Sequence, residues 1–600
     1  MKIFYQCPLF MYASIQFFAI KWNKEGTTMI YKLCVMAGVG SVFLLSAMNC
    51  QSQTIVADKV YFGGDIITME GESPNYAEAV ATLGEKIIFS GSKEQALEYA
   101  IDKTKLINLE GKTLLPGFVD PHSHVFGVGQ ASVVSNLLPA PDGTADTVEK
   151  IINLLKGAQN DEYLNALIKK SGWIVGTGYD DALLDYYPTK NDLDKVSTEL
   201  PVLIIHASGH LGVANSKALE LAGITAESKD PQGGVIRRIE GSQEPNGILE
   251  ENAFLAVLVN HVYSKIDVEL QDMMLAKGQE IYAQYGYTTA QEGRAMKAGL
   301  SAIERAAGKN QLIMDIVAYP DMVMASDAMD SKYNSLNYAN HFRIGGVKLS
   351  LDGSPQGKTA WLSEPYFHPP HGKDADYKGY PIFKDEQTNQ YVETAFKNNW
   401  QVLAHANGDA AIDQFIGAVS AANSKLGKQD RRAVLIHGQA LRSDQIGQLV
   451  KEDMFPSLFP LHTFYWGDWH AESVFGQPRA DFLSPTKAVR DAGLMFTTHH
   501  DAPVVPPNAL RVLDATVNRT TRSGKVLGPE QRVDVYTALK AMTIWAAYQH
   551  FEESTKGSIS VGKNADFVIL DKNPLKIEPR QLNNLKVEET ISRGKTIYSR

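Results

Sequence analysis

The stretch Pro116-Gly117-Phe118-Val119-Asp120-Pro121-His122-Ser123-His124 decides the fold class of this chain. It follows the apolar pair Leu114-Leu115 and ends in two histidines. Alternate residues of a strand share a face, so His122 and His124 are expected to point the same way. Two imidazoles at one strand end can bind a metal ion together. Because such a pair alone is a weak signal, its interpretation depends on the rest of the chain.

Seven further runs typical of buried strands follow, and they alternate with helical stretches. The eight runs are Leu114–His124, Tyr287–Glu292, Leu312–Tyr319, Gly345–Asp352, Trp400–His405, Ala433–His437, Phe455–Phe459 and Gly493–Asp501. Several of them end in His or Asp. This alternation, with polar residues at the strand ends, is typical of a (β/α)₈ barrel, which carries its active site on that face. The sequence therefore predicts an α/β chain with a TIM barrel over residues 117–556.

Two regions outside the eight runs are expected to form structural units separate from the barrel. Roughly 160 residues separate the first run from the second, which is too long for a loop, so a large insertion after strand 1 is expected at about 130–280. Short β-prone runs broken by glycine occupy both ends of the body, for example Lys59–Phe62 and Ala565–Asp571. Such runs are typical of small antiparallel strands. We expect residues 51–116 and 557–600 to pair into one small β-sandwich.

The composition of the chain limits the partners it can bind and the residue types that can carry its chemistry. The chain has 600 residues, of which 44% are hydrophobic and 21% charged, as expected for a globular protein with more than one unit. The net charge is −10 and no Lys/Arg cluster stands out, which argues against a nucleic-acid partner. The three cysteines, Cys7, Cys34 and Cys50, all precede residue 51. The body must therefore use His, Asp, Glu, Lys or Ser, without disulfides or thiolates.

The first fifty residues read as a targeting segment. Met29 resembles a second start, and the mostly apolar run Leu33–Ala47 is typical of a secretory signal peptide. The run is shorter than the ~20 residues that span a bilayer, which disfavours the alternative of a membrane anchor. Cys50 stands where a bacterial lipoprotein carries its lipidated cysteine, although Met48-Asn49 replaces the small residues expected before it. We expect export to the periplasm and membrane attachment through Cys50.

Four more residues in the barrel runs have metal-binding chemistry. Lys348 lies in an otherwise largely apolar run, where a charged lysine is costly unless it is deprotonated, modified or extended to the rim. His405, His437 and Asp501 each end a run. One such histidine could be an ordinary core residue. Together with the pair on the first run, however, the set predicts a metal centre.

This ordered set resembles the amidohydrolase superfamily, and within it amidohydrolase family 3, the group that includes N-substituted formamide deformylase. Other segments resemble the family too: Gly286-Tyr287-Thr288-Thr289, His405–Asp409, Asp501–Val504, Gly557–Leu570, Trp173 with Gly176-Thr177-Gly178, Gly209-His210, Asn215–Leu219 and Gly247–Leu249 with Glu251. The resemblance implies a metal-dependent hydrolase that cleaves a non-peptide C–N bond of amide type in a small molecule.

The resemblance also implies a ligand set. His122, His124 and Asp501 would bind the more buried metal, His405 and His437 the second, and Lys348 would bridge both as a carbamate formed with CO₂. These residue types suit one or two divalent ions, with zinc favoured over Fe, Mn or Co. One departure is that His500 precedes Asp501 where many relatives have a serine.

The implied reaction is attack of a metal-activated hydroxide on a carbonyl carbon. A bound metal lowers the pKa of water from 15.7 towards about 7. Asp501 would accept a proton from the water and return it to the leaving nitrogen. His210 would help to polarise the carbonyl. Substrate contacts are expected from Trp173, His210, Asp352, His462, Trp466 and His500, with simple packing as the alternative for Trp173 and His500.

Competing interpretations remain at this point. A mononuclear deaminase-type aminohydrolase would not need Lys348. A non-catalytic exported binding protein would not need the complete ligand set, and an exported metal-storage module does not fit strand-anchored ligands. A Ser–His–Asp hydrolase would need a Gly-x-Ser-x-Gly elbow, which the barrel region lacks. An N-substituted amide or formamide, a cyclic amide and an N-acylated amino acid all fit as substrate, and homo-oligomerisation stays open.

Overall fold

Parallel strands that alternate with helices form the centre of the protein. The computed structural model describes residues 55–181, 184–207, 209, 211–231, 234–370 and 373–600. The segment predicted to be a targeting signal, with Cys50, and His210 lie outside the described residues. Within the described part of the chain, no helix is long and apolar enough to cross a membrane.

The strands are β1 (Lys59–Ile67), β2 (Tyr76–Leu83), β3 (Lys86–Gly91), β4 (Lys105–Asn108), β5 (Thr113–Pro116), β6 (Phe118–Val119), β7 (Ser135–Asn136), β8 (Ile174–Tyr179), β9 (Val202–His206), β10 (Leu211–Ala214), β11 (Gly234–Arg238), β12 (Pro245–Glu251), β13 (Tyr287–Ala295), β14 (Asp315–Pro320), β15 (Phe342–Ile344), β16 (Gly346–Ser350), β17 (Gln401–Ala406), β18 (Val434–His437), β19 (Phe455–Leu458), β20 (Thr497–Thr498), β21 (Phe567–Leu570), β22 (Val587–Ser592) and β23 (Lys595–Ser599).

The α-helices are α1 (Lys93–Leu97), α2 (Val125–Ser132), α3 (Val148–Gly157), α4 (Glu162–Ser171), α5 (Lys190–Asp194), α6 (Ser216–Leu221), α7 (Asn252–Val257), α8 (Val268–Gln284), α9 (Lys297–Gly308), α10 (Asp385–Lys397), α11 (Asp409–Leu426), α12 (Ser443–Lys451), α13 (Leu461–Trp469), α14 (Thr486–Asp491), α15 (Ala509–Asn518), α16 (Val535–Met542) and α17 (Ile544–Gln549). A π-helical turn, His470–Val474, follows α13 directly.

The eight predicted runs each contain a strand, and these strands, together with β15, form two parallel sheets. One sheet has the order β6-β13-β14-β15, and the other has the order β16-β17-β18-β19-β20. Strands β15 and β16 are separated by Gly345 alone. The backbone N–H of His124 donates to the carbonyl of Ala502 at 2.9 Å, which links the ends of the first and last runs. The α/β class predicted from the sequence is confirmed.

The two ends of the body share one mixed sheet of eight strands. Its order is β23-β22-β21-β5-β1-β2-β3, and β4 also pairs with β1. Strand β21 is antiparallel to β5, with Phe567 opposite Pro116. Gly63 bends β1 with a φ of 79°, a conformation that glycine adopts readily. The predicted pairing of the chain ends is therefore present, while their arrangement as a sandwich stays a prediction.

A third sheet, with the order β11-β12-β10-β9-β8-β7, lies between β6 and β13 in the chain, within the predicted insertion. Strand β9 pairs in parallel with β8 and antiparallel with β10. Helix α8 leads from this region back to β13 and packs closely on α2. A Cβ atom at Gly129 of α2 would lie 1.8 Å from the carbonyl oxygen of Met274 of α8, so only glycine fits there. This contact fixes α2, which begins directly after His124.

Candidate metal centre

Three of the predicted ligands meet at one point. Nε2 of His122 lies 3.3 Å from Oδ1 of Asp501, and Nε2 of His124 lies 3.2 Å from the same oxygen. One ligand atom from each of the three residues lies within 4.8 Å of the other two. Asp501 has a φ of 53°, an unusual conformation for a non-glycine residue and one often found at functional positions. The spacing suits a single small cation.

The histidines of β17 and β18 extend this cluster. Nδ1 of His405 lies 3.1 Å from Nε2 of His437. The same nitrogen of His437 lies 3.9 Å from Oδ2 of Asp501. The carboxylate of Asp501 therefore presents one oxygen to His122 and His124 and the other oxygen to His437.

Lys348 completes the predicted set. Its Nζ atom lies 2.9 Å from Nε2 of His122, and the residue is only 2% exposed. Burial lowers the pKa of Lys348 to about 7, against a smaller raising effect of Asp501. The structure brings together all six side chains predicted to bind metal. Their roles as ligands stay predictions.

The hydrogen-bond partners of the outer ring nitrogens show that this donor set fits a cation. Nδ1 of His122 lies 2.8 Å from the amide oxygen of Gln291, whose Nε2 donates to the carbonyl of Pro121 at 2.5 Å. Nε2 of His405 lies 3.1 Å from the carbonyl of Gly353. Because both acceptors hold the proton on the outer nitrogen, the lone pairs of Nε2 of His122 and Nδ1 of His405 face inward, as metal ligands require.

Burial also keeps the imidazoles of His122 and His437 neutral. It lowers the pKa of His122 and of His437 well below 6.5, and neighbouring cationic groups lower both further. A neutral imidazole is the form that binds a metal ion. The residues present therefore fit a divalent metal.

His499 contacts the cluster and was not among the residues predicted from the sequence. Its Nε2 lies 3.1 Å from Nδ1 of His437, and its Nδ1 lies 3.0 Å from Oγ of Ser457. If His499 donates to Ser457 it can accept from His437, which leaves Nε2 of His437 free for a metal. The available signal was its position two residues before Asp501, because alternate residues at a strand end share a face.

The carboxylate of Asp352 is occupied by hydrogen bonds from the backbone. Its carboxylate accepts the backbone N–H groups of Trp361 at 3.0 Å, Asn407 at 3.0 Å and Gly408 at 2.8 Å. It also lies 3.4 Å from Nε2 of His405. Asp352 therefore holds the loops around His405, and this use of its oxygens does not favour the predicted substrate contact.

The surroundings of His500 likewise do not favour its predicted contact with substrate. The side chain is completely buried, and its ring lies 5.7 Å from the ring of Tyr282 and 5.3 Å from that of Tyr287. Its Nδ1 accepts the backbone N–H of Ala502 at 3.0 Å. These surroundings favour the packing alternative over contact with substrate.

The other predicted substrate residues are dispersed. Trp173 is buried in the insertion, with its ring 5.9 Å from that of His261. His462 is buried after β19, with its ring 4.6 Å from both Phe459 and Trp466. Burial lowers the pKa of His462 well below 6.5. Their contacts with substrate, and any role of His210, stay predictions.

Strand ends that converge on imidazole, carboxylate and amine groups in an α/β fold define a metal-dependent hydrolase. Residues 105–598 match the amidohydrolase family. The chain belongs to amidohydrolase family 3, and it is a hydrolase that acts on C–N bonds other than peptide bonds.

Relatives of this chain cover nearly its whole length. It is 27% identical over 561 residues to the putative amidohydrolase YtcJ of Bacillus subtilis, covering 90% of this chain and 99% of YtcJ. It is 25% identical over 566 residues to the N-substituted formamide deformylase of Arthrobacter pascens, covering 91% of this chain and 99% of that enzyme. A solved metal-dependent hydrolase of Pyrococcus horikoshii has the same fold, with a TM-score of 0.69, 24% identity and coverage of 87% and 99%.

Proposed function

We propose that this amidohydrolase cleaves an N-substituted amide or formamide with one or two divalent metal ions, zinc being favoured. The observation that carries the proposal is the position of Asp501, whose Oδ1 lies within 3.3 Å of Nε2 of both His122 and His124. The similarity to an N-substituted formamide deformylase supports the substrate class.

With two metals bound, His122, His124 and Asp501 would hold one, and His405 and His437 would hold the other. Lys348 would contribute to both as a carbamate, formed when its neutral amine adds to the carbon of CO₂ and releases one proton to solvent. The carbamate would place an anion with two oxygens where a buried ammonium group would be costly beside cations.

A bound metal would polarise the substrate carbonyl and make a water molecule more acidic. Side chains of the protein transfer the protons and hold the ligands in position. Asp501 accepts the proton of the attacking water and later donates it to the leaving nitrogen, a sequence that one carboxylate can serve. Gln291 and His499 hold the rings of His122 and His437 in position. The amide-type C–N bond breaks, and a carboxylic acid and an amine are released.

We infer that the two central parallel sheets close into one eight-stranded barrel. The contiguity of β15 and β16 and the hydrogen bond from His124 to Ala502 support this closure at two places. Closure would bring the carboxyl ends of the strands to one face, where such barrels carry their active sites. The folding of the mixed sheet as a sandwich, and export with lipidation at Cys50, are proposed on the sequence pattern alone.

The test measures bound metal per chain in residues 51–600 and in a Lys348→Ala variant, after both have been supplied with zinc and bicarbonate. Lys540→Ala is the matched control, because Lys540 is also buried (3% exposed) but contacts Glu72 instead of the cluster. Near two metals in the parent and the control, and about one or none in the Lys348 variant, are expected. A carbamate signal in ¹³C NMR after labelling with ¹³C-bicarbonate should appear only when Lys348 is present.

Amine release from a panel of N-substituted amides and formamides then tests the reaction. One metal in both the parent and the Lys348→Ala variant would instead favour the mononuclear deaminase-type alternative. No metal in either would exclude the proposal and favour a non-catalytic binding protein.

A further inference from the structure

A fully buried carboxylate lies next to the first predicted metal ligand in the chain. Asp120 directly follows β6, and it is completely buried. Nε2 of His500 lies 3.7 Å from its Oδ1, which is too long for a hydrogen bond. Because a buried carboxylate is costly unless it is paired or hydrogen-bonded, other groups must stabilise Asp120 in this place.

Backbone N–H groups from two segments stabilise this carboxylate. Its Oδ1 accepts the backbone N–H of His122 at 3.1 Å, and its Oδ2 accepts the backbone N–H of Gln291 at 2.9 Å. Oδ2 also accepts the hydroxyl of Ser123, which in turn contacts the hydroxyl of Tyr282. One carboxylate therefore joins a residue predicted to bind metal to strand β13.

The two residues that Asp120 joins also contact each other through their side chains. The amide oxygen of Gln291 lies 2.8 Å from Nδ1 of His122. The ring of His122 lies against the backbone of β13, because a Cβ atom at Gly293 would lie 2.5 Å from Nδ1 and from Cε1 of that ring. A small displacement of β13 relative to His122 would therefore break the contact with Gln291 or press the backbone into the ring.

The strand ladder alone does not hold these two segments in register. Strand β6 has only two residues, and they pair with Tyr287 and Thr289 of β13 in an irregular register. The backbone N–H of Asp120 donates to the carbonyl of Thr289 at 3.0 Å, and the regular pairing ends there. His122 lies beyond the end of this ladder, so the carboxylate of Asp120 supplies a link to β13 at the level of the ligand.

We infer that Asp120 is a positioning residue of the metal centre: it fixes Gln291 relative to His122, so that the amide of Gln291 holds Nε2 of His122 toward the metal. This inference rests on the proposed function. Both oxygens of Asp120 accept hydrogen bonds from the protein, so it acts through these two residues. An asparagine of the same shape would face one of the two backbone N–H groups with its own NH₂ group, so one hydrogen bond would be lost.

The first test measures the zinc affinity of the full-length protein by competition with a chelator. Asp120→Asn should bind zinc at least about 10-fold more weakly than the parent, the usual cost of losing a residue that orients a ligand. Because Asp120 acts through Gln291, the double variant Asp120→Asn/Gln291→Met should bind within about 2-fold of the weaker single variant. Losses that simply add would overturn the inference, since they would show that Asp120 acts independently of Gln291.

The matched control for this substitution is Asp192→Asn. Asp192 is also buried (6% exposed) and accepts the backbone N–H of Thr189 at 3.0 Å, but it lies in α5 of the insertion. The Asp192→Asn substitution should leave the zinc affinity unchanged.

Ser123→Ala is a second variant, and it decides the question if Asp120→Asn does not fold. It removes the hydroxyl but keeps both backbone hydrogen bonds of Asp120. The melting temperature should therefore fall, while the zinc affinity stays within about 2-fold of that of the parent. A loss of zinc affinity as large as that of Gln291→Met would overturn the inference, because it would show that the whole cluster only supports the fold.

The second test needs neither metal nor catalysis. Histidine-selective ¹⁵N labelling of the metal-free protein shows which ring nitrogen carries the proton, and a His122→Gln variant identifies the signals of His122. Nδ1 of His122 should carry the proton in the parent, and Asp120→Asn and Gln291→Met should both give a mixture of tautomers. A His122 signal that is unchanged in Asp120→Asn would overturn the inference. A parent that binds no zinc would refute the proposed function, and the tautomer of His122 would still decide the role of Asp120.

Discussion

The amide oxygen of Gln291 lies 2.8 Å from Nδ1 of His122, and both side chains are fully buried. This contact determines which ring nitrogen of His122 faces Asp501. We predict that Gln291→Met lowers the affinity for the metal by about 10- to 100-fold, the usual cost of losing a residue that orients a ligand. Competition with a chelator of known zinc affinity measures the change.

The control for this substitution is Gln401→Met. Gln401 is also buried (4% exposed), and its amide donates to the carbonyls of Arg432 and Gln549. Gln401 begins β17, four residues before His405, and does not contact the cluster. The Gln401→Met substitution should lower the melting temperature of the protein without changing its affinity for the metal. Equal metal affinities in the two variants would contradict the orienting role of Gln291.

His499 and His500 form a matched pair of neighbours. We predict that His499→Phe lowers metal content and kcat, by about 10-fold or more, because it removes the hydrogen bond to His437. His500→Phe should keep metal content and KM, since His500 packs between tyrosine rings. Steady-state kinetics and elemental analysis of bound metal distinguish the two variants. A raised KM with normal metal content in His500→Phe would instead support the substrate contact predicted from the sequence.

The role of Asp352 can be tested by whether its substitution changes kcat or KM. Its carboxylate accepts three backbone N–H groups and lies 3.4 Å from Nε2 of His405. Asp352→Asn turns one of the two carboxylate oxygens into a donor, so it should displace the loop, and we predict a fall in kcat of about 10-fold and a lower metal content. A raised KM with unchanged kcat would show that Asp352 binds substrate after all.

A buried ionic network at the first residue of β14 predicts a pH-dependent stability. Nζ of Lys556 lies 2.7 Å from both Asp315 and Glu552. Burial alone would raise the pKa of Glu552, but Lys556 and Arg343 outweigh it and lower the pKa from 4.5 to about 2. Glu552 therefore stabilises the folded protein above pH 4.5, and this contribution is lost as the pH falls towards 2.

We predict that Lys556→Met destabilises the protein at pH 7 by about 3 kcal/mol, because two carboxylates lose a buried partner. The difference from the parent should shrink between pH 4.5 and 2, where the carboxylates become protonated. Lys540→Met is the control, since its partner Glu72 is 86% exposed and should contribute little. Chemical denaturation at a series of pH values measures both. A difference that stays constant with pH would contradict the network's role.

The sequence predicted the strands better than the contacts between their ends. Each of the eight runs holds a strand because continuous apolar stretches bounded by polar residues have few other low-energy conformations in a folded chain. The placement of His122, His405 and Asp501 followed from the ends of these runs. Residues that act through a neighbour were missed: Gln291 and His499 differ from other buried polar residues only by a partner far away in the chain.

Asp352 was predicted to contact substrate, and that role stays a prediction. The structure uses its oxygens for the backbone N–H groups of residues 361, 407 and 408. Periodicity and spacing carry no information on such distant backbone partners.

Strand β5 has β21 as its antiparallel neighbour, and the two are separated by about 450 residues of chain. On the ribosome, at about 5–20 residues per second, about 20 to 90 s pass between the synthesis of β5 and that of β21. During this time one of its edges offers unpaired backbone groups to other chains. The segment that leads into His122 is thus made early, while the strand that covers its open edge is made near the end of synthesis.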